Sequence, residues 1–425
     1  MPSTPRTEAF PAHTPAASQV FTTVLSHGPL TRSDIGGRAG LSAAAVTKAV
    51  RPLIEAGYLV ENTRNAQNPQ NLENSENNGN SGNSGNSGTA DDSEDAYIEA
   101  RPSLGRPAGL VRVDGGRALF VGVKITGDEI IAVLTDLCCR IRSARHLPLT
   151  ARDPGAVLTP TAELVRELLA EAEGVGAPVL GLGVAVSGDV DRAAGVVRYS
   201  PFLEWRDVRL AELMEMTTGL PVTVDNDVRA LTVAEQWFGA GVGLSDFALV
   251  TVGAGIGCGL VVHGQVVSGA HGVAGEIGHV VIDPAGPPCH CGNRGCVEAI
   301  AADSAIVAAV REATGVAVAD AAEALDLAHR GDQGARDVYT RAGDAIGRAI
   351  GTVANLLGPE RVIISGEGLA AYDLFAEQIR DAFAAAAFGT AAHCDLKTRP
   401  LPFDEWARGA AATAIQSFIR STTRP

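Results

Sequence analysis

The hydrophobic pattern changes period along the chain, and the changes mark its divisions. From Ser18 to Ser26 the residues Val20, Phe21, Val24 and Leu25 recur at helical spacing, and His27-Gly28-Pro29 stops the run. Leu30 to Ile35 opens a second short helix that Gly40 ends, and Ser42 is placed to cap a third running through Ala43 to Val50. Pro52 falls inside the apparent span of that third helix and should kink it or end it near Arg51. Gly57 to Glu61 then reads as a strand, with Ala108 to Val113 as its hairpin partner. Helix, glycine turn, helix and hairpin together predict a winged helix-turn-helix over residues 18–113.

That hairpin is interrupted. Residues 62–95 are rich in Asn, Ser and Gly and end in the acidic run Asp91, Asp92, Glu94 and Asp95, which cannot form a core and predicts a disordered insert in the wing. Residues 1–17 are likewise expected to be disordered. From Leu119 onward apolar strands alternate with alanine-rich helices, at Leu119–Val123, Ile130–Asp136, Val179–Val186, Phe247–Val252, Leu260–Val262 and Val362–Ser365. Such alternation predicts an α/β domain over residues 116–425, long enough for two lobes with a cleft between them.

Charge narrows the DNA reading. A net charge of −15 argues against nonspecific coating of nucleic acid, so any contact with double-stranded DNA must be local. The third helix offers Ser42, Ala43, Ala44, Thr47 and Lys48, where small side chains permit close approach to the major groove and Thr or Lys can reach phosphates or base edges. In the wing, Leu104-Gly105-Arg106-Pro107 sets Arg106 beside a proline in an extended element suited to a narrow minor groove. Met1 to Ser18 lacks a basic start followed by an apolar stretch, and no apolar run approaches bilayer length, so the expected location is cytoplasmic.

Seven cysteines are present, three of them within Cys289-His290-Cys291-Gly292-Asn293-Arg294-Gly295-Cys296. Three thiols this close suit zinc in a reducing compartment better than a disulfide framework. Cys289, Cys291 and Cys296 need a fourth tetrahedral ligand. His279 is the preferred donor, and spacing alone leaves His290 open. A closed site of this composition has no position for water, so the zinc is expected to be structural.

These residues, with Gly269 to His279, Asp225-Asn226-Asp227 and Gly295-Cys296-Val297-Glu298, resemble the ROK family of bacterial sugar kinases and related repressors. The resemblance covers nearly the whole chain. It implies a bilobal actin-like, ribonuclease H-like sugar kinase fold in which Asn226, Asp227, Glu276, His279 and Glu298 hydrogen-bond sugar hydroxyls, with His279 serving sugar and metal through different ring nitrogens. It also implies a homo-oligomer, dimer or tetramer, that reads a DNA operator under control of a sugar or sugar phosphate. Two departures stand out. Where relatives often carry Asn before the Leu of a Pro-x-Leu segment, this chain reads Pro201-Phe202-Leu203. Where the family's kinases carry an Asp-x-Gly-x-Thr loop for magnesium and ATP phosphates, it reads Lys124-Ile125-Thr126-Gly127-Asp128-Glu129, placing two carboxylates near the expected polyphosphate. A second glycine loop persists at Gly253 to Gly257, and Glu367 adds an acid near the expected adenine side. The expectation is a non-enzymatic regulator, with an ATP-dependent sugar kinase fused to a DNA module, using Asp227 as base, as the alternative.

Overall fold

A computed structural model of the chain describes residues 10–12, 14–62 and 109–421. Arg106, and the expected insert beyond Asn62, lie outside the described residues.

Three helices and a small sheet form the N-terminal module. Helix α1, Pro15–His27, begins where the Thr14 hydroxyl accepts the Ala17 N–H. Strand β1, Leu30–Thr31, leads into α2, Arg32–Ala39, whose start is closed reciprocally by Thr31 and Asp34. Gly40 turns the chain in the left-handed region, φ 62°, toward α3, Ala43–Glu55. Strands β2, Leu59–Asn62, and β3, Leu110–Val113, pair antiparallel, with β1 on the far side of β3.

Two expectations are corrected in this module. Helix α3 runs through Pro52 to Glu55. The missing N–H leaves the carbonyl of Lys48 unpaired, but Lys48 is exposed to water, while Val46, Ala49, Val50 and Leu53 form one unbroken buried stripe that holds the last turn in place. Among the described residues, 10–12 and 14–17, which were expected to be disordered, also join the fold. Phe10 is wholly buried, edge-on to Phe21 at 4.8 Å, Tyr58 at 5.2 Å and Phe418 at 5.4 Å. Burying one large aromatic among three others outweighs the entropy of fixing a short segment.

The larger domain repeats one topology twice. Its strands are β4 Leu119–Ile125, β5 Glu129–Asp136, β6 Ile141–Pro148, β7 Val179–Val186, β8 Asp189–Asp191, β9 Val196–Ser200, β10 Trp205–Val208, β11 Val222–Asn226, β12 Phe247–Val252, β13 Ile256–Val262, β14 Gln265–Val266, β15 Arg361–Ser365 and β16 Asp395–Thr398. The first lobe has sheet order β11-β7-β4-β5-β6 and the second β14-β13-β12-β15-β16. In each, three strands form an antiparallel meander, a fourth adds in parallel to the first of them and a fifth in parallel to the fourth. A small sheet, β10-β9-β8, extends the first lobe. Two such lobes facing one another are the bilobal actin-like architecture.

The C-terminal helix, Asp404–Arg420, joins all three parts. It lies against β4 and β7 so closely that a Cβ on Gly122 would fall 2.0 Å from the Ala407 carbonyl oxygen, and one on Gly183 only 1.8 Å from that of Ala410. Two glycines therefore let backbone rest on backbone. At its far end Phe418 enters the aromatic group of Phe10, Tyr58 and Phe120, so the N-terminal module and the first lobe share one core.

Candidate functional site

The lobes enclose a cleft of about 710 Å³, lined by the loop after β4, the turn between β12 and β13, the Gly269–His279 segment and the start of the C-terminal helix. Ligand sites of this fold type sit where strands of opposed lobes end and loops converge.

Asp227 forms the floor. It opens the helix Asp227–Phe238, its Oδ1 accepting the Val228 N–H at 2.9 Å. Its Oδ2 accepts from the Lys124 ammonium and from the Ser187 hydroxyl at 2.5 Å. Lys124 also donates to Ser187 Oγ at 3.0 Å and stands 5.6 Å from the centroid of the Trp406 ring. Burial alone would lift the Asp227 carboxyl, but the Lys124 charge, the Ser187 hydroxyl and the Val228 N–H together hold it below the usual aspartate value. A carboxylate held so firmly is a good hydrogen-bond acceptor and a poor proton acceptor.

Asn226 has structural work of its own. Its Oδ1 accepts the Arg229 N–H at 3.1 Å as a helix cap and its Nδ2 donates to the Gly188 carbonyl at 3.0 Å, leaving one lone pair and one N–H for a ligand. Glu276 lines the cleft. Desolvation raises its carboxyl, His279 opposes that, and the charges of Glu298, Asp227 and Asp189 add to it. Glu298 accepts the Ile256 N–H at 3.1 Å and meets His290 Nε2 at 2.7 Å.

Behind this wall His279, Cys289, Cys291 and Cys296 bring their ligand atoms within 4.8 Å of one another. Cys291 Sγ and Cys296 Sγ lie 3.7 Å apart, and His279 Nδ1 lies 3.6 Å from Cys289 Sγ. A tetrahedral zinc with sulfur at about 2.3 Å and nitrogen at about 2.1 Å separates its ligands by roughly 3.4–3.8 Å, so the four donors fit one ion. His279 Nδ1 faces the thiols, which leaves Nε2 for a ligand in the cleft. A second group of donors, His279, Cys289, His290 and Glu298, also converges. In it the His290 Nε2 is already held by Glu298, and three of its members, His279, His290 and Glu298, lie on the open cleft wall.

The two carboxylates expected to obstruct polyphosphate lie at the rim. Glu129 meets His146 Nδ1 at 3.2 Å and Asp128 meets Arg152 at 3.4 Å, with Asp128 nearly all exposed. Two further contacts lie within the cleft itself. Glu367 Oε1 accepts the Ala254 N–H at 3.2 Å in the second glycine turn, and Lys124 covers Asp227. Sequence reasoning missed Ser187, Trp406 and Phe403 as cleft residues. Ser187 follows a buried strand, so its position at a strand end was the available signal.

On α3, Ser42, Ala43, Ala44, Thr47 and Lys48 all face solvent, opposite the buried stripe. The Ser42 hydroxyl accepts the Ala45 N–H at 3.3 Å and so caps the helix. The five residues thus share one accessible surface at the N-terminal half of the second helix of a helix-turn-helix pair.

Fold and cleft together define a sugar-kinase-like two-lobed protein that carries a winged helix-turn-helix. A family model described as the ROK family matches residues 120–417, and the chain belongs to that family. It is 35% identical over 272 residues to a glucokinase of Thermotoga maritima, covering 60% of this chain and 81% of that enzyme. It is 27% identical over 387 residues to a putative xylose repressor of a Caldicellulosiruptor species, covering 88% of each. Among solved structures, a ROK family transcriptional regulator, a homologue of the Escherichia coli MLC protein, superposes with a TM-score of 0.73 at 25% identity, covering 95% of this chain and 96% of that one. No helix among the described residues is long and apolar enough to cross a membrane.

Proposed function

We propose that this protein is a transcriptional repressor of carbohydrate metabolism genes, a zinc-containing homo-oligomer whose affinity for a double-stranded operator is set by a sugar in the interlobe cleft. The observation that carries the choice of sensor over kinase is the Lys124–Asp227 ion pair. A base that must take a proton from a sugar hydroxyl needs a carboxylate free to accept it, and here that carboxylate is neutralised by an ammonium standing where a kinase places a metal-binding acid. Asp227, Glu276, Glu298, Asn226 and His279 Nε2 then serve as fixed partners for hydroxyls. Zinc on His279, Cys289, Cys291 and Cys296 would hold the loop that carries His279 and fix which of its ring nitrogens faces the sugar.

Sugar binding closes the lobes, and the C-terminal helix carries that motion outward. Its first turn brings Trp406 to the cleft beside Lys124, and its last turn carries Phe418 into the core of the DNA module. A shift in that helix changes the separation of two recognition helices in a dimer, which sets the fit to paired half-sites.

A gel-shift titration with DNA from upstream of the protein's own gene, across a panel of sugars, tests this reading. The expected result is a specific complex whose midpoint moves with one sugar, and which Lys48→Glu abolishes. A second reading, an ATP-dependent sugar kinase with a fused DNA module, is favoured by the 35% identity to a glucokinase. Release of ADP with formation of sugar phosphate, on incubation with ATP, magnesium and the same sugars, would decide for it.

A further inference from the structure

We infer that the effector is an uncharged, unphosphorylated sugar whose edge facing Phe202 is apolar, as in a deoxy or O-alkylated sugar; this rests on the sugar-binding reading above and narrows it.

Charge supplies the first half of the argument. Backbone N–H groups in a glycine turn make a natural nest for phosphate. In the turn between β12 and β13 those donors are taken: the Ala254 N–H by Glu367, the Ile256 N–H by Glu298 at 3.1 Å, and the Gly253 N–H by the Gly255 carbonyl at 3.2 Å. Each described cation lining the cleft has a carboxylate partner. Lys124 is on Asp227, Arg229 on Asp225, and Arg152 on Asp128 at the rim. Deeper in, Asp303 also lines the cleft and is pushed up to about 6, chiefly by burial and secondarily by the charge of Glu367. A phosphate ester, with a charge of about −1.5 to −2, would therefore enter a cleft where carboxylates outnumber lysine and arginine and where each such cation is already paired. Neutral hydroxyls meet acceptors they can use.

Shape supplies the second half. Phe202 lines the cleft with 39% of its surface exposed. Its backbone packs beside Gly127 in the first lobe, and its ring reaches toward the second: the point that a Cβ on Gly255 would occupy lies 3.9 Å from Phe202 Cζ and 2.9 Å from Glu298 Oε2. The ring tip and a sugar-binding carboxylate thus border one small volume. Phe403 and Trp406 add apolar wall to the same cleft. A hydroxyl pressed on the Phe202 ring loses its water without gaining a partner, whereas a CH₂, methyl or alkoxy edge gains burial there.

The test uses full-length, zinc-loaded protein and isothermal calorimetry. The ligands are glucose, mannose, galactose and N-acetylglucosamine, each with its monodeoxy analogues and its 6-phosphate, against wild type and Phe202→Asn. For the parent sugar that binds, most deoxy analogues should weaken by about tenfold or more, since each strips a hydroxyl from a buried acceptor. One deoxy position should be tolerated or preferred. In Phe202→Asn that same position should become costly, by about tenfold. The 6-phosphate should bind at least about tenfold more weakly than its parent in both proteins. Binding of the phosphate equal to or tighter than the parent, a uniform loss across the deoxy series, or a tolerant position unmoved by Phe202→Asn would each overturn the inference. The phosphate and deoxy comparisons in wild type decide the matter even if the variant does not fold. Absence of heat with every parent and analogue would instead sink the sugar-binding reading beneath it.

Discussion

Replacing Lys124 with Met tests the floor of the cleft most directly. The ammonium and the Asp227 carboxylate are 6% and 9% exposed, so removing one partner strands the other in a poorly solvated place. Breaking such a pair costs about 3–5 kcal/mol. Ser187 and the Val228 N–H still serve Asp227, which puts the expectation near the lower limit, about 3 kcal/mol. Lys124→Met with Asp227→Asn removes both charges and should cost about 1 kcal/mol or less, because no buried ion remains. The assay is urea unfolding followed by tryptophan fluorescence, to which Trp406 reports from beside Lys124.

The pH dependence has a sign that can be worked out. In the wild type the folded Asp227 carboxyl lies below its ordinary value of 3.8, so its contribution is present above that value and is lost as pH falls through the lower, folded one. In Lys124→Met, burial acts with no cation to oppose it and lifts the folded carboxyl above 3.8. Stability is then lost as pH rises through that raised value and regained on acidification. The gap between wild type and variant should therefore narrow as pH falls toward 3.8. A single-variant cost below about 1 kcal/mol, a gap that ignores pH, or a double variant as unstable as the single would refute the reasoning.

Other outcomes follow from the same geometry. One zinc per chain should be found by elemental analysis; Cys291→Ser or chelation should remove it and weaken sugar binding about 10–100-fold by freeing His279, while operator binding survives. Asp303→Asn should raise stability at pH 8 by about 3 kcal/mol and leave it unchanged near pH 4, because a carboxyl raised to about 6 is penalised only once it ionises; equal effects at both pH values would contradict this. Phe418→Ala should lower the melting temperature of the DNA module through loss of aromatic contacts worth about 0.5–1.5 kcal/mol each. Sugar affinity should stay the same in that variant, while the effect of sugar on operator binding disappears; retained coupling in the gel shift would count against the C-terminal helix as the link.

What could be read from the chain before folding, and what could not, divides by the range of the interaction involved. The α3 surface was legible because a helix's burial repeats every three or four residues, so Val46, Ala49, Val50 and Leu53 declare which side Thr47 and Lys48 must face. The thiols were legible because eight consecutive residues hold three of them. Lys124 was visible as a departure from a motif, but its consequence was not: Asp227 stands 103 residues away, and the repulsion first expected from Asp128 and Glu129 is spent at the rim on Arg152 and His146. Phe10 and Trp406 gave no local sign at all, being lone aromatics whose neighbours come from distant segments. Pro52 misled for the complementary reason, since its local cost is real but is overridden by a core stripe it does not interrupt. The residues on which the proposed choice of sensor over kinase rests are the ones whose partners lie far along the chain. Lys124 lies near the end of β4 and Asp227 just past β11, two strands of one sheet separated by β7, so their contact is one that no single stretch of sequence contains.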